Sequence, residues 1–120
     1  MGTKILIVDD SSFMRMTLKD ILQKAGFEVV GEANDSKTAI ERFKEVRPDL
    51  VTMDIVMPGE DGVKTLKEIM SLNPQARVLM VSALGQEALI VDAMGAGARG
   101  YITKPFKPEN VVKEVRKNLQ

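Results

Sequence analysis

Two hydrophobic periods alternate along the chain. Residues 5–8 (ILIV) form an unbroken apolar run, the pattern of a strand buried on both faces. From Ser12 the spacing turns helical, with Met14, Leu18, Ile21, Leu22 and Ala25 on one stripe and Gly26 at the stop. Residues 27–33 read as a second strand. Asp35 or Ser36 then caps a second helix whose inward positions are Ala39, Ile40, Phe43 and Val46, and Pro48 ends the connection. A third apolar run, 50–53, leads directly into Asp54. Met57-Pro58-Gly59 reads as a loop, and Asp61-Gly62 starts a third helix carrying Val63, Leu66, Ile69 and Met70 until Asn73-Pro74 breaks it. Residues 77–81 (RVLMV) predict a fourth strand followed by Ser82, and 87–94 a short fourth helix that the glycines of 95–100 unwind. A fifth strand spans 101–103. Pro108 suits the first turn of a last helix with Val111, Val112, Val115 and Leu119 inward.

Strands alternating with helices in this way predict an α/β fold, a parallel sheet covered on both faces. Right-handed crossovers restrict the topology further. At 120 residues and 44% hydrophobic, the chain suits one domain with a real core, taken as residues 1–120.

Composition removes several kinds of chemistry. Without cysteine there are no disulfides, thiolate metal sites or thiol nucleophiles, and without histidine there is no Ser-His-Asp chemistry or ordinary zinc site. Lys plus Arg number 17 and Asp plus Glu number 17, so the overall charge gives no reason to expect nucleic acid or an anionic membrane as partner. No stretch approaches the roughly 20 apolar residues of a membrane helix, and the first apolar run is too short for a signal peptide. The expected location is the cytoplasm.

In open parallel sheets, ligands bind beyond the carboxyl ends of the strands. Those ends carry Asp9 and Asp10, Asp54, Ser82 and Lys104. Crowded carboxylates resist ionisation unless a cation joins them, and an all-oxygen donor set favours a hard ion such as Mg2+. A carboxylate is a competent nucleophile toward phosphorus, and phosphoryl transfer needs mainly positioning and charge neutralisation. Taken singly, each residue has an ordinary reading: Asp-Asp as a turn or cap, Ser82 as a helix cap, Lys104 as a solvated charge. The methionines at helical spacing are core or surface residues before they are anything else. Four strand ends carrying the required types together decide for chemistry.

Val8-Asp9-Asp10, Met53-Asp54 followed by Met57-Pro58, Ser82-Ala83 and Lys104-Pro105-Phe106 stand in a characteristic order along essentially the whole chain. In that order and spacing the chain resembles response-regulator receiver domains, and among them the stand-alone chemotaxis regulators. The resemblance implies a doubly wound, flavodoxin-like five-stranded parallel sheet of order 2-1-3-4-5 with five helices. It implies Asp54 as phosphoacceptor, with Lys104 and Ser82 assisting. Mg2+ would be held by Asp10 and Asp54, by Asp9 mainly through water, and by the backbone carbonyl of Val56. Ser82 and Tyr101 would form the switch, Tyr101 following Ser82 inward and changing the face of the fourth helix, fifth strand and fifth helix. Lys104-Pro105 would be cis. The chain would catalyse only its own phosphorylation and dephosphorylation.

The implied partners are a histidine kinase as phosphodonor, a phosphatase, and a flagellar motor switch protein or another protein target, reached by protein–protein contact to alter flagellar rotation. The exposed part of Phe13-Met14-Arg15-Met16 is a candidate docking surface for the kinase. The alternative is a receiver excised from a larger regulator with a different output.

The chain departs from the common pattern at three places. Val56 is apolar where many relatives carry a polar residue, so it cannot orient a water for dephosphorylation. Gly59-Glu60 replaces a more apolar loop. Ser82 lacks the methyl of the commoner threonine. Among rival readings, a passive cation-binding module uses the same acidic edge without chemistry. A flavodoxin-like mononucleotide protein conflicts with Asp9-Asp10, which repel a phosphate lacking a metal. A haloacid-dehalogenase-type phosphatase wants a second aspartate where Val56 stands.

Overall fold

The structure is a computed structural model that describes residues 2–119. Its elements in chain order are β1 (Lys4–Val8), α1 (Ser12–Lys24), β2 (Glu28–Ala33), α2 (Ser36–Val46), β3 (Leu50–Asp54), β4 (Val56–Met57), β5 (Glu60–Asp61), α3 (Gly62–Leu72), β6 (Val78–Ser82), α4 (Glu87–Gly95), β7 (Gly100–Thr103) and α5 (Pro108–Asn118). Five strands pair in parallel in the order β2-β1-β3-β6-β7. With the two-residue strands β4 and β5 set aside, this is the expected order 2-1-3-4-5.

The apolar runs explain the two-layered core. Alternate side chains of a strand point to opposite faces. Leu6, Val8, Val51, Met53 and Met80 therefore pack with Ala39, Phe43, Leu66, Ile69 and Ala93 of α2, α3 and α4. Ile5, Ile7, Leu50 and Leu79 pack on the other face with Leu18, Leu22, Val111 and Val115 of α1 and α5. A strand covered on both sides has no place for a polar alternation, hence ILIV.

The caps follow ordinary chemistry. Ser11 accepts from Met14 N–H, Asp35 from Thr38 N–H and Asp61 from Val63 N–H. The backbone and side-chain hydrogen bonds of Thr38 hold the Asp35 carboxyl below its ordinary value.

Several expectations need correction. Met57 is no loop residue: it is 1% exposed and pairs with Glu60 in an antiparallel ribbon, Val56 opposite Asp61. Two-residue strands are too short for periodicity to reveal. Phe27 and Arg77 fall just outside β2 and β6, Asp54 belongs to β3, α4 runs through Gly95, and β7 starts at Gly100. Met14 and Val112 are only half-buried, and Ala25 is the C-cap of α1 rather than part of its stripe. Ser82 caps nothing; the residue before α4 is Gln86, which makes no side-chain cap. Among the described residues, no helix is long and apolar enough to cross a membrane.

Candidate functional site

Because β1, β3, β6 and β7 run parallel, their carboxyl ends open on one edge. Asp9 and Asp10 follow β1, Asp54 and Ser82 are the last residues of β3 and β6, and Lys104 follows β7. Backbone hydrogen bonds hold these ends in line: Asp9 N–H to Ala33 carbonyl at 3.0 Å, Ile55 N–H to Val81 carbonyl at 3.0 Å, and Lys104 N–H to Ser82 carbonyl at 2.8 Å.

The side chains converge as the strand-end reading requires. Asp9, Asp10 and Asp54 each offer a carboxylate oxygen, all within 4.8 Å of one another. Asp9 and Asp54 are buried and Asp10 is exposed. The Lys104 Nζ lies 3.0 Å from Asp9 Oδ2 and donates to Asp54 Oδ2 at 3.2 Å. The second Asp9 oxygen accepts from Ser11 N–H at 2.9 Å, and Asp54 Oδ1 takes a long bond of 3.4 Å from Val56 N–H.

This arrangement under-compensates its negative charge. Burial, with the Asp9 carboxylate second, pushes the Asp54 carboxyl up from 3.8 to about 6, against the pull of Lys104 and Val56 N–H. Burial alone would lower the Lys104 amine. Its hydrogen bond to Asp9 and the charges of Asp54 and Asp9 outweigh that and raise it. Three carboxylates with oxygens this close, offset by a single amine, suit a hard divalent cation such as Mg2+.

Ser82 Oγ is buried and has no hydrogen-bond partner among the described residues. A buried hydroxyl without a partner is costly unless something arrives to receive it. Tyr101 lies on β7 and is 47% exposed, between the buried Gly100 and Ile102. The Val56 side chain is exposed. Lys104-Pro105 is cis, as the resemblance implied. On α1, Phe13 and Met16 are exposed, while Arg15 is not part of that surface.

Three residues are tied to the site by contacts that the sequence did not announce. Arg15 Nη1 donates to the Asp9 carbonyl at 2.7 Å while its Nε pairs with Glu32 at 3.1 Å, pinning the acidic loop to β2. A Cβ on Gly62 would stand 2.1 Å from the Asp54 carbonyl oxygen and 2.6 Å from that of Ile55, so α3 can start against the backbone of Asp54 and Ile55 only with glycine there. Asp-Gly signalled a helix start, but nothing local announced that contact. Glu60 accepts from Ser36 N–H at 2.8 Å, across a gap in sequence that no pattern bridges.

Residues 5–116 match the response regulator receiver domain family. The chain is 51% identical over 117 residues to the chemotaxis protein CheY of Thermotoga maritima, covering 98% of each. It is 53% identical over 119 residues to that of Bacillus subtilis, covering 99% of each. The CheX–CheY–BeF3–Mg2+ complex from Borrelia burgdorferi contains a chain with TM-score 0.90 and 38% identity, covering 96% of this chain and 87% of that one.

Proposed function

The chain belongs to the response regulator receiver domain family of two-component signalling, of the chemotaxis kind, and from that premise we propose that it is a phosphorylation switch in which Asp54 takes a phosphoryl group from a histidine kinase. The observation that carries this reading is the bridging of Asp9 and Asp54 by the Lys104 amine beside Asp10, three acids and one cation drawn from three strands.

An oxygen of Asp54 attacks phosphorus, the new P–O bond forming as the P–N bond of a kinase phosphohistidine breaks. The electron pair leaves on the imidazole nitrogen, which takes a proton from solvent. Lys104 shifts from carboxylate to phosphoryl oxygen, and the partnerless hydroxyl of Ser82 donates to another. Mg2+ would be held by Asp10, Asp54, Asp9 through water and the Val56 carbonyl, and supplies charge neutralisation at the phosphoryl oxygens. The Borrelia relative, which is found with BeF3 and Mg2+, supports that role.

Once Ser82 turns to the phosphoryl group, space opens for Tyr101 to move inward from its exposed position, and the face of α4, β7 and α5 changes shape. A flagellar motor switch protein in the cytoplasm is the target that the chemotaxis relatives favour, and residues 1–120 act as one receiver unit. The Val56 side chain offers no polar atom to a hydrolytic water, so intrinsic dephosphorylation receives no help from it. Val56→Asn should speed it, and an unchanged rate refutes this point.

Incubation with Mg2+ and a small acyl phosphate, read by intact mass and peptide mapping, tests the whole reading. The expected result is one phosphoryl group on Asp54, absent in Asp54→Asn. No adduct, or an adduct elsewhere, overturns it in favour of a passive cation site.

A further inference from the structure

The segment between the phosphoacceptor and α3 has little backbone pairing of its own, although Ile55 and Met57 anchor it in the core. β4 and β5 are two residues each, joined through Pro58-Gly59, with Gly59 at φ +72. A hairpin this short is marginal without outside support. Yet it carries Val56, whose backbone flanks Asp54: the Val56 N–H reaches Asp54 Oδ1, and Gly62 N–H closes the segment onto the Ile55 carbonyl at 2.9 Å.

Support comes from α2. Ser36 is the first residue of that helix, so its N–H is one of the donors that the helix itself leaves without a partner. Asp35 serves Thr38, and it is Glu60 of the ribbon that accepts from Ser36 at 2.8 Å. A carboxylate accepting at a helix N-terminus gains both a charge-assisted bond and the helix dipole. A second tie lies beside it, between the hydroxyls of Ser36 and Thr65 of α3.

We infer that Glu60 is a positioning residue: by capping α2 from a distance, it fixes the ribbon that places the Val56 backbone beside Asp54, and so sets the affinity of the acidic pocket for a divalent cation. The inference rests on reading Asp54 as a Mg2+-assisted phosphoacceptor. Among the described residues, the Glu60 side chain makes its hydrogen bond to Ser36 and none to Asp54 or the other residues assigned to the cation. Its influence runs through backbone placement.

The test uses the whole chain with Mg2+ alone as probe, titrated by calorimetry, and amide exchange over residues 56–62 of the metal-free protein by NMR. Glu60→Ala should weaken Mg2+ binding about three- to tenfold, below the usual loss for a residue that directly orients a ligand, and speed exchange across the ribbon. Glu60→Gln keeps an accepting oxygen and should stay within about twofold of wild type. Ser36→Pro removes the donor at a position where helices tolerate proline, and should reproduce the Glu60→Ala result, whereas Ser36→Ala keeps the N–H and should not.

Equal affinity and exchange in Glu60→Ala and wild type overturn the inference. So does a loss in Glu60→Gln as large as in Glu60→Ala, which would make the charge and not the tie the cause. If Ser36→Pro loses helix content, the two Glu60 variants decide alone. A wild type that binds no Mg2+ sinks the metal reading, while amide exchange still decides whether Glu60 holds the ribbon.

Discussion

In β3, Leu50 and Met53 are fully buried against apolar neighbours, while Asp54, the next residue and nearly as buried, faces another carboxylate and a single lysine. β1 repeats the contrast, with Ile5 to Val8 in the core and Asp9 buried at the tip. The body of each strand gains from burial. The tip bears a charge that burial opposes, and tolerates it because the surrounding strands hold it there. The acidic edge is thus stabilised from below and strained at its tip.

Substitutions in the body and at the tip should have opposite effects. Leu50→Ala, in the body, should lose about 2–5 kcal/mol of unfolding free energy in urea melts, through lost transfer energy and a cavity. Asp54→Asn, four residues on, should gain stability in Mg2+-free buffer, because burial and the Asp9 carboxylate oppose the charge on its carboxyl. A loss there would show that the tip is no more strained than the body.

The same carboxyl gives a pH signature. A carboxyl raised from 3.8 to about 6 binds protons more tightly in the folded chain, so wild-type stability should fall as pH rises between about 4 and 6. Asp54→Asn should lack that part of the slope, as melts at stepped pH would show. Parallel pH curves for the two proteins would deny the strain. The smallest effect is expected at Arg15, which braces the tip from outside it. Arg15→Ala removes the bond to the Asp9 carbonyl and should cost about 1 kcal/mol in the same melts.

Much of this was legible in the chain. Continuous apolar runs marked the strands, 3.6-residue stripes marked the helices, and the residue type after each run marked the chemistry. Boundaries slipped by a residue at Phe27, an apolar side chain that packs on the core just outside β2, and at Gly100, a residue type that carries no strand signal. The Val56–Met57 ribbon was invisible because two residues carry no period.

Which positions are apolar, how they repeat, and that acids, a serine and a lysine follow the strands can all be read along the chain. Those properties are local, and each element's burial is written in its own spacing. Only the tertiary structure decided that Lys104 lies between Asp9 and Asp54, that Arg15 grips the Asp9 carbonyl, that α3 abuts Asp54 through Gly62, and that Glu60 caps a helix 24 residues away. These contacts depend on strand order and on how helices cross the sheet. No periodicity records them, because each joins residues whose separation along the chain says nothing of their distance in space.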